Sequence, residues 1–216
     1  MSYPAVLEVE TPERIARWRP LFAWFLAIPH FIVLYALGML GSIVAFISWF
    51  VILFTGKLPD GLAGIQVMCL RYQERATIYA GFLHEKYPPF EFPTDSRDPG
   101  TTPVTLDIIP ALEGRNRLTV GLRFIWVIPA MIWVMIVWIA VSVVYFVAWF
   151  AVIILGRWPQ GMRDFVVKGI RLAIQVNVYA SLLTDQYPPF SLTPDGSGAG
   201  DTPPPPPQTD LPSMLD

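Results

Sequence analysis

The sequence has very few of the side chains that make catalytic or metal-binding sites. Among 216 residues there is one cysteine, Cys69, and there are two histidines, His30 and His84. A single cysteine excludes an intramolecular disulfide, and no group of histidines and carboxylates has metal-ligand spacing. No Ser–His–Asp or Cys–His arrangement is suggested. The sequence therefore predicts neither an enzyme nor a cofactor.

Charge is also scarce, and it is distributed unevenly. Charged residues make up 15% of the chain against 54% hydrophobic residues, and the net charge is −2. This balance gives no basic field for nucleic acid. Residues 20–54 and 124–155 contain no Asp, Glu, Lys or Arg at all. The polar, acidic N-terminus lacks the features of a signal peptide, so we expect these two blocks to drive insertion into a membrane.

The chain repeats itself with an offset of 100 residues. Aliphatic matches alone could arise by chance, but here prolines, glycines and a whole tetrapeptide return together. The matches include Pro29 and Pro129, Gly56 and Gly156, Pro59 and Pro159, Arg71 and Arg171, Tyr79 and Tyr179, and Tyr-Pro-Pro-Phe at 87–90 and 187–190. Similarity at a fixed period indicates one structural unit used twice.

Each unit has the same order of predicted elements. A short alternating strand (5–10 and 104–108) precedes basic residues and an apolar block that ends in a Gly-Lys/Arg-x-Pro-x-Gly turn. An amphipathic helix follows at 62–85 and 162–185, and the prolines of Tyr-Pro-Pro-Phe end the unit. We therefore predict a first membrane repeat at 1–92, a linker at 93–103, a second membrane repeat at 104–192, and a disordered Pro-rich tail at 193–216.

The path of each apolar block through a membrane is open between two alternatives. A block of 32–35 residues makes a helix of roughly 50 Å, but a hydrocarbon core is about 30 Å thick. Either the block folds back as a hairpin, or it forms one long helix bent at Pro29 or Pro129 with its first turns in the interface. Basic residues at both ends of each block favour the hairpin, which places both ends on the cytoplasmic side. Gly38 and Gly41 would then form the first turn.

The amphipathic helices carry charged residues at mid-helix, which are costly in the centre of a bilayer. We therefore expect these helices to lie on the membrane surface or to cover the bundle from the cytoplasmic side. The fold prediction is an α-helical, multi-pass integral membrane protein built from two tandem repeats.

The Arg-x-x-Arg/Trp run before Ile28-Pro29-His30, the Thr-Gly-Lys-Leu-Pro-Asp-Gly turn at 55–61 and the Tyr-Pro-Pro-Phe close resemble a bacterial membrane-protein family known only as a domain of unknown function. The resemblance covers nearly everything except the tail. It implies a bacterial cell membrane location and a two-copy architecture, but no activity, cofactor or catalytic residue. His30 is answered by Ala130, so any role of this histidine belongs to the first repeat.

The candidate site residues are accordingly few. Arg71 and Arg171 are candidates for lipid-phosphate contact, with Tyr79 and Tyr179 at equivalent positions beside them, because a guanidinium suits bidentate phosphate binding. The alternative is that the arginines extend their heads into water from the bilayer surface. His30 is the one ionisable group within the apolar blocks and is a candidate intramembrane polar site, against a purely structural role.

The functional prediction is a non-enzymatic accessory, scaffold or envelope component whose partners are membrane lipids. A protein partner in the membrane or at the Pro-rich tail is a further expectation, and no nucleic acid partner is expected. The alternative is a small transporter, channel or lipid-handling protein, since internal repeats are common among transporters. The absence of charge from both blocks argues against ion-coupled transport.

Overall fold

The computed structural model describes residues 3–190, and most of these residues lie in helices. The first repeat contains β1 (Ala5–Val9), α1 (Arg19–Leu26), α2 (Ile28–Thr55) and α3 (Asp60–Ala80). The second contains β2 (Val104–Ile108), α4 (Arg117–Gly121), α5 (Arg123–Leu155) and α6 (Gln160–Ala180). The two predicted strands and the two helices after the apolar blocks are confirmed. The predicted tail at 193–216 lies outside the described residues.

The apolar blocks do not fold back, so the predicted hairpins are wrong. α2 is one helix of 28 residues and α5 one helix of 33 residues, about 42 and 50 Å long. Gly38 and Gly41 both lie inside α2, where the intrahelical hydrogen bonds continue through them. Hairpins would have broken these bonds in the most apolar part of the chain, where no other partner replaces them. Both helices are long and apolar enough to cross a membrane by length and composition.

The bends expected near the prolines differ between the repeats. In the first repeat, α1 gives way to α2 at Ala27, two residues before Pro29. In the second repeat the break comes earlier, at Leu122 between α4 and α5, and Pro129 lies inside α5 without ending it. Proline at the start of α2 loses nothing, because the first turn of a helix has unpaired N–H groups anyway.

Glycine ends both long helices. Gly56 and Gly156 have φ of 73° and 67°, in the left-handed region, and each donates its N–H to a carbonyl four residues earlier. This conformation is easy only for glycine, so the chain turns sharply here. α3 and α6 then return along α2 and α5, and Pro59 and Pro159 stand at their N-caps.

The repeats are tied together by a two-stranded antiparallel sheet that joins strands about 100 residues apart. β1 pairs with β2, and Leu7 lies opposite Leu106 in the register. β1 packs on α6 and β2 on α3, so each strand covers the central helix of the other repeat. The sheet therefore makes one interlocked body from the two repeats.

The molecule is built in three layers. On α3, Cys69 faces Gly41 of α2, while Arg71 bonds to β2. Cys69 and Arg71 are two residues apart, which corresponds to a rotation of about 200° around the helix axis. The helix α2 and the sheet therefore lie on opposite sides of α3. The helix α6 repeats this arrangement: Gly169 faces Val141 of α5, and Arg171 bonds to β1.

α3 and α6 form the middle layer, so the prediction that they lie on a surface is wrong. The alternative prediction, that they cover the apolar helices, agrees with their packing on α2 and α5. Thirteen residues of α3 are buried, among them Gln66, Arg71, Glu74 and Arg75. Their charged groups were expected in water, but residues 93–98 and the sheet cover Arg71 and Arg75. Glu74 instead faces side chains of α5 and α6. The helices α2 and α5, together with α1 and α4, form the outer layer. The faces of these helices that point away from α3 and α6 are exposed.

The contact between α5 and α6 depends on the small size of Gly169. A Cβ added there would lie 2.5 Å from Cγ2 of Val141, whereas a Cβ added at Gly161 meets nothing within 4 Å. We expect Gly169→Ala to lower the free energy of unfolding by about 2 kcal/mol, because overpacking forces two helices apart. Thermal unfolding in detergent measures this. Gly161→Ala is the matched control and should be neutral or stabilising, and equal unfolding temperatures for the two variants would contradict the packing.

Candidate functional site

Arg71 and Arg171 each hold the strand of the opposite repeat. The Arg71 guanidinium donates to the Leu106 carbonyl at 3.1 Å and also to carbonyls of Pro93 and Asp95. Arg171 donates to the Leu7 carbonyl at 3.2 Å. Leu7 and Leu106 are partners in the sheet, so the two arginines bind its centre, with one arginine bonded to each strand. The structure places these residues beneath the sheet, on the sides of α3 and α6 that face away from α2 and α5.

Asp98 completes a buried ion network around Arg71. Its carboxylate lies 3.1 Å from Arg71 Nε and 2.7 Å from an Arg75 terminal nitrogen, and all three side chains are almost fully buried. The same carboxylate accepts the N–H groups of Gly100 and Leu106. Burial lowers the pKa of Arg71, and Asp98 opposes this shift. Asp98 lies in the segment that the sequence interpretation treats as a linker, and no local pattern there signals its role.

Tyr79 and Tyr179 each lie under an arginine of the basic approach to the long helices. The Arg19 guanidinium carbon is 4.7 Å from the centre of the Tyr79 ring, and that of Arg123 is 3.8 Å from the Tyr179 ring. Asp185 binds Arg123 at 2.6 Å and Arg115 at 2.8 Å. These tyrosines therefore support the start of α1 and α5 through cation–π contact.

Tyr87 and Tyr187 of the Tyr-Pro-Pro-Phe segments pack edge-on against those two rings, each with ring centres 5.3 Å apart. The tetrapeptide thus has the same packing role in both repeats, and its duplication in the sequence reflects that role.

His30 lies in an aromatic cluster. Its Nδ1 is 2.7 Å from the Tyr72 hydroxyl, and its ring stacks on Phe90 with centres 4.9 Å apart. The side chain is fully buried. Position 172 is leucine, so the second repeat lacks both members of this pair. The geometry supports the structural role for His30, since the hydrogen bond and ring contacts fix α2 against α3 and the 87–90 segment.

Glu74 is the buried polar residue that sequence reasoning missed. It is 5% exposed, and burial raises the pKa of its carboxyl to about 8, so it is mainly protonated at neutral pH. It lines a cavity of about 350 Å³ with Gln73, Thr77 and Asn177 on the polar side and with Met131 on the apolar side. The one available signal was that the equivalent position in the other repeat is Ile174.

A second cavity, of about 300 Å³, lies between α2, α3 and α6 and shares two residues with the first. Gln73 and Asn177 line both, and Gln66 adds a further amide whose nitrogen donates to the Gly41 carbonyl at 2.8 Å. The two cavities therefore adjoin along a row of amides between the long helices. An arrangement of neutral hydrogen-bonding groups with apolar walls suits a ligand that is itself amphiphilic.

The described residues contain no group of three His, Cys, Asp or Glu side chains that could hold a metal ion. His84 is buried, and its pKa is lowered to about 4, chiefly by burial and then by Arg19. His84 is therefore neutral at physiological pH, with its ring 6.0 Å from that of Tyr79.

Comparisons with known proteins give a family for the chain. A family model with the description "Domain of unknown function (DUF4389)" matches residues 17–91 and again residues 117–191. No curated protein and no solved structure matches the chain. The two matched segments have the 100-residue offset of the repeat. They contain Arg71 and Arg171, the paired tyrosines and both Tyr-Pro-Pro-Phe segments, whereas the strands and Asp98 lie outside them. The chain therefore belongs to the DUF4389 family, as a member that carries the domain twice.

Proposed function

We propose that this protein is a non-enzymatic component of the bacterial cell membrane, with an accessory, scaffold or envelope role. The observation that carries the proposal is its apolar surface, which consists of the outward faces of α1, α2, α4 and α5. Most of the exposed large hydrophobic side chains lie there, including Tyr35, Phe54, Phe146 and Ile154, which are 68–74% exposed. A water-soluble monomer does not present such an area.

The layered fold supports a membrane position in which α2 and α5 lie in the plane of one leaflet. Gly41 is at the middle of α2 and contacts Cys69, so Arg71 and Asp98 lie level with the middle of that helix. If α2 crossed the bilayer, this ion network and the sheet would be at mid-membrane depth. The exposed Glu8 of β1 would then face hydrocarbon, which is prohibitively costly for a carboxylate.

An in-plane position also accounts for the lengths and ends of the long helices. At about 42 and 50 Å they exceed the thickness of a hydrocarbon core, but length is not limited along the surface. Trp49 donates its indole N–H to the Val120 carbonyl, and Trp149 donates to the Pro20 carbonyl. The helices are therefore antiparallel, and in the plane all of their basic ends share one side, which we propose is the cytoplasmic side.

Purification in a mild detergent tests the accessory role. At ordinary expression levels we expect a tagged chain to bring down a specific membrane protein, in addition to lipid. Substitution of the apolar surface, for example Tyr35→Ser with Phe146→Ser, should reduce membrane association. Recovery of the chain alone, in repeated purifications that keep other membrane complexes intact, would exclude the accessory role.

The row of amides between the long helices favours a second candidate function, the handling of a lipid or similar amphiphile. Glu74, Gln73 and Asn177 offer neutral hydrogen-bonding groups beside Met131 and Met135, which are more than half exposed on the apolar surface. No fixed charge blocks this path. Reconstitution into liposomes tests the candidate: lipid movement should depend on Gln73 and Asn177, and the absence of any movement of lipid, proton or cation would remove it.

A further inference from the structure

A basic cleft lies where the end of α5 meets the chain that leads into α1. It is a cavity of about 780 Å³ lined by Arg14, Arg17 and Arg157, with Glu85 and Leu155 among its other walls. Ile15 donates its N–H to the Gly156 carbonyl at 2.8 Å, and this bond fixes the two segments against each other. A neighbouring cavity of about 720 Å³ shares Arg14 and Arg157, so the cleft extends past both side chains.

The three arginines have no compensating partner among the described residues. None of them is in an ion pair there, and all three are exposed to solvent. Glu85 in the wall of the cleft accepts the Ala16 N–H at 2.6 Å and so serves the backbone. Glu13 lines the neighbouring cavity and forms no ion pair with the three arginines. The three guanidinium groups outnumber these carboxylates, which makes the cleft a site for an anion.

The equivalent place in the other repeat is built differently and serves as an internal comparison. There Gly114 replaces Arg14, and Lys57 replaces Arg157. Lys57 pairs with Glu113 at 2.9 Å, and Asp185 takes up the charges of Arg115 and Arg123. One unpaired arginine, Arg117, remains at that end. Among the described residues, the duplicated unit has therefore kept three unpaired arginines together at one end and a single one at the other.

The cleft lies at the rim of the apolar surface. Leu155 in its wall is 53% exposed, and Trp18, next to Arg17, is 50% exposed. Tryptophan at this position is typical of the interface between hydrocarbon and headgroups. If the apolar surface lies in a leaflet, lipid headgroups are at the height of the three arginines.

We propose that this cleft binds the phosphate of an anionic phospholipid, an assignment that rests on the membrane position proposed above. Arginine presents paired N–H donors that match phosphate oxygens, and its charge is not lost at any physiological pH. Basic pockets of this kind at a membrane surface recognise lipid headgroups. The acyl chains would then lie along Leu155 and the outer face of α5.

The test is a titration of the full chain in dodecyl maltoside with dihexanoyl phosphatidylglycerol, followed by thermophoresis. The triple variant Arg14→Gln, Arg17→Gln and Arg157→Gln should lose affinity on the order of a hundredfold, since each arginine contributes about fivefold. The control variant Lys57→Gln, Arg97→Gln and Arg117→Gln removes the same charge elsewhere. It should stay within about threefold of the unaltered chain by the same measure.

Two further arms identify the ligand. Dihexanoyl phosphatidylcholine should bind more weakly, because its ammonium is repelled by the arginines, and inorganic phosphate should bind far more weakly, because it has no acyl chains. Equal binding of inorganic phosphate, or equal losses in the two triple variants, would overturn the proposal. A chain that is folded and monomeric without detergent would instead refute the membrane position, independently of the titration.

Discussion

Replacement of Asp98 by asparagine should destabilise the protein more than any other single change considered. The substitution removes the carboxylate that pairs with both Arg71 and Arg75 in their buried site, while the shape of the site is nearly unchanged. Asp95 and Asp107 also attract Arg71, but only through longer-range Coulombic interaction. Breaking a buried ion pair by removing one partner costs about 3–5 kcal/mol. Thermal unfolding in detergent should show this loss as a fall in the melting temperature on the order of 10 °C.

The neighbouring Asp95 supplies the control for this prediction. Its side chain is exposed, and only its backbone carbonyl bonds to Arg71. Asp95→Asn should therefore change the melting temperature little. If the two variants unfolded at the same temperature, Arg71 and Arg75 would not depend on Asp98, and the sheet would be held by some other contact.

The stability of the protein should fall as the pH rises from 6.5 to 8, and Glu74→Gln should remove this dependence. The folded-state pKa of Glu74 is raised from 4.5 to about 8 by burial. Below pH 4.5 both the folded and the unfolded state bind the proton. Between the two pKa values only the folded state keeps it, so each pH unit favours unfolding by about 1.4 kcal/mol. We therefore expect a loss of about 2 kcal/mol between pH 6.5 and 8.

The pH window and the control exclude other groups. His84, whose folded-state pKa is lowered to about 4, acts in the opposite direction, and its contribution is lost as the pH falls from 6.5 to 4. Melting temperatures measured from pH 6.5 to 9 avoid that range. Glu8→Gln alters an exposed carboxylate and should keep the slope of the unaltered chain. An equal slope in Glu74→Gln would show that Glu74 is ionised in the fold.

Much of the local structure could be predicted from the sequence. Gly56, Pro59 and their counterparts fix where the long helices end, because only glycine enters the left-handed region easily and proline cannot continue a helix. The alternating segments 5–10 and 104–108 predict strands for a similar local reason. The repeat itself needs no structural knowledge, since a fixed offset is visible directly.

The long-range arrangement could not be predicted in the same way. A composition without charge is compatible with a membrane position for residues 20–54, but it does not show whether they lie across a membrane or along it. The burial of Arg71 depends on its ion pair with Asp98, which lies 27 residues away in a segment without regular structure. Glu74 is buried because α5 and α6, which are distant in the sequence, complete its surroundings.

The central claim is that α2 and α5 lie along one leaflet. Asp60 and Gln160 test it, because they are exposed, equivalent, and located just beyond the ends of two antiparallel helices. Each is replaced by cysteine in a Cys69→Ala chain, and sealed membrane vesicles are treated with a membrane-impermeant maleimide. We predict that both cysteines are labelled from the same side of the membrane. Labelling from opposite sides would show that the long helices cross it.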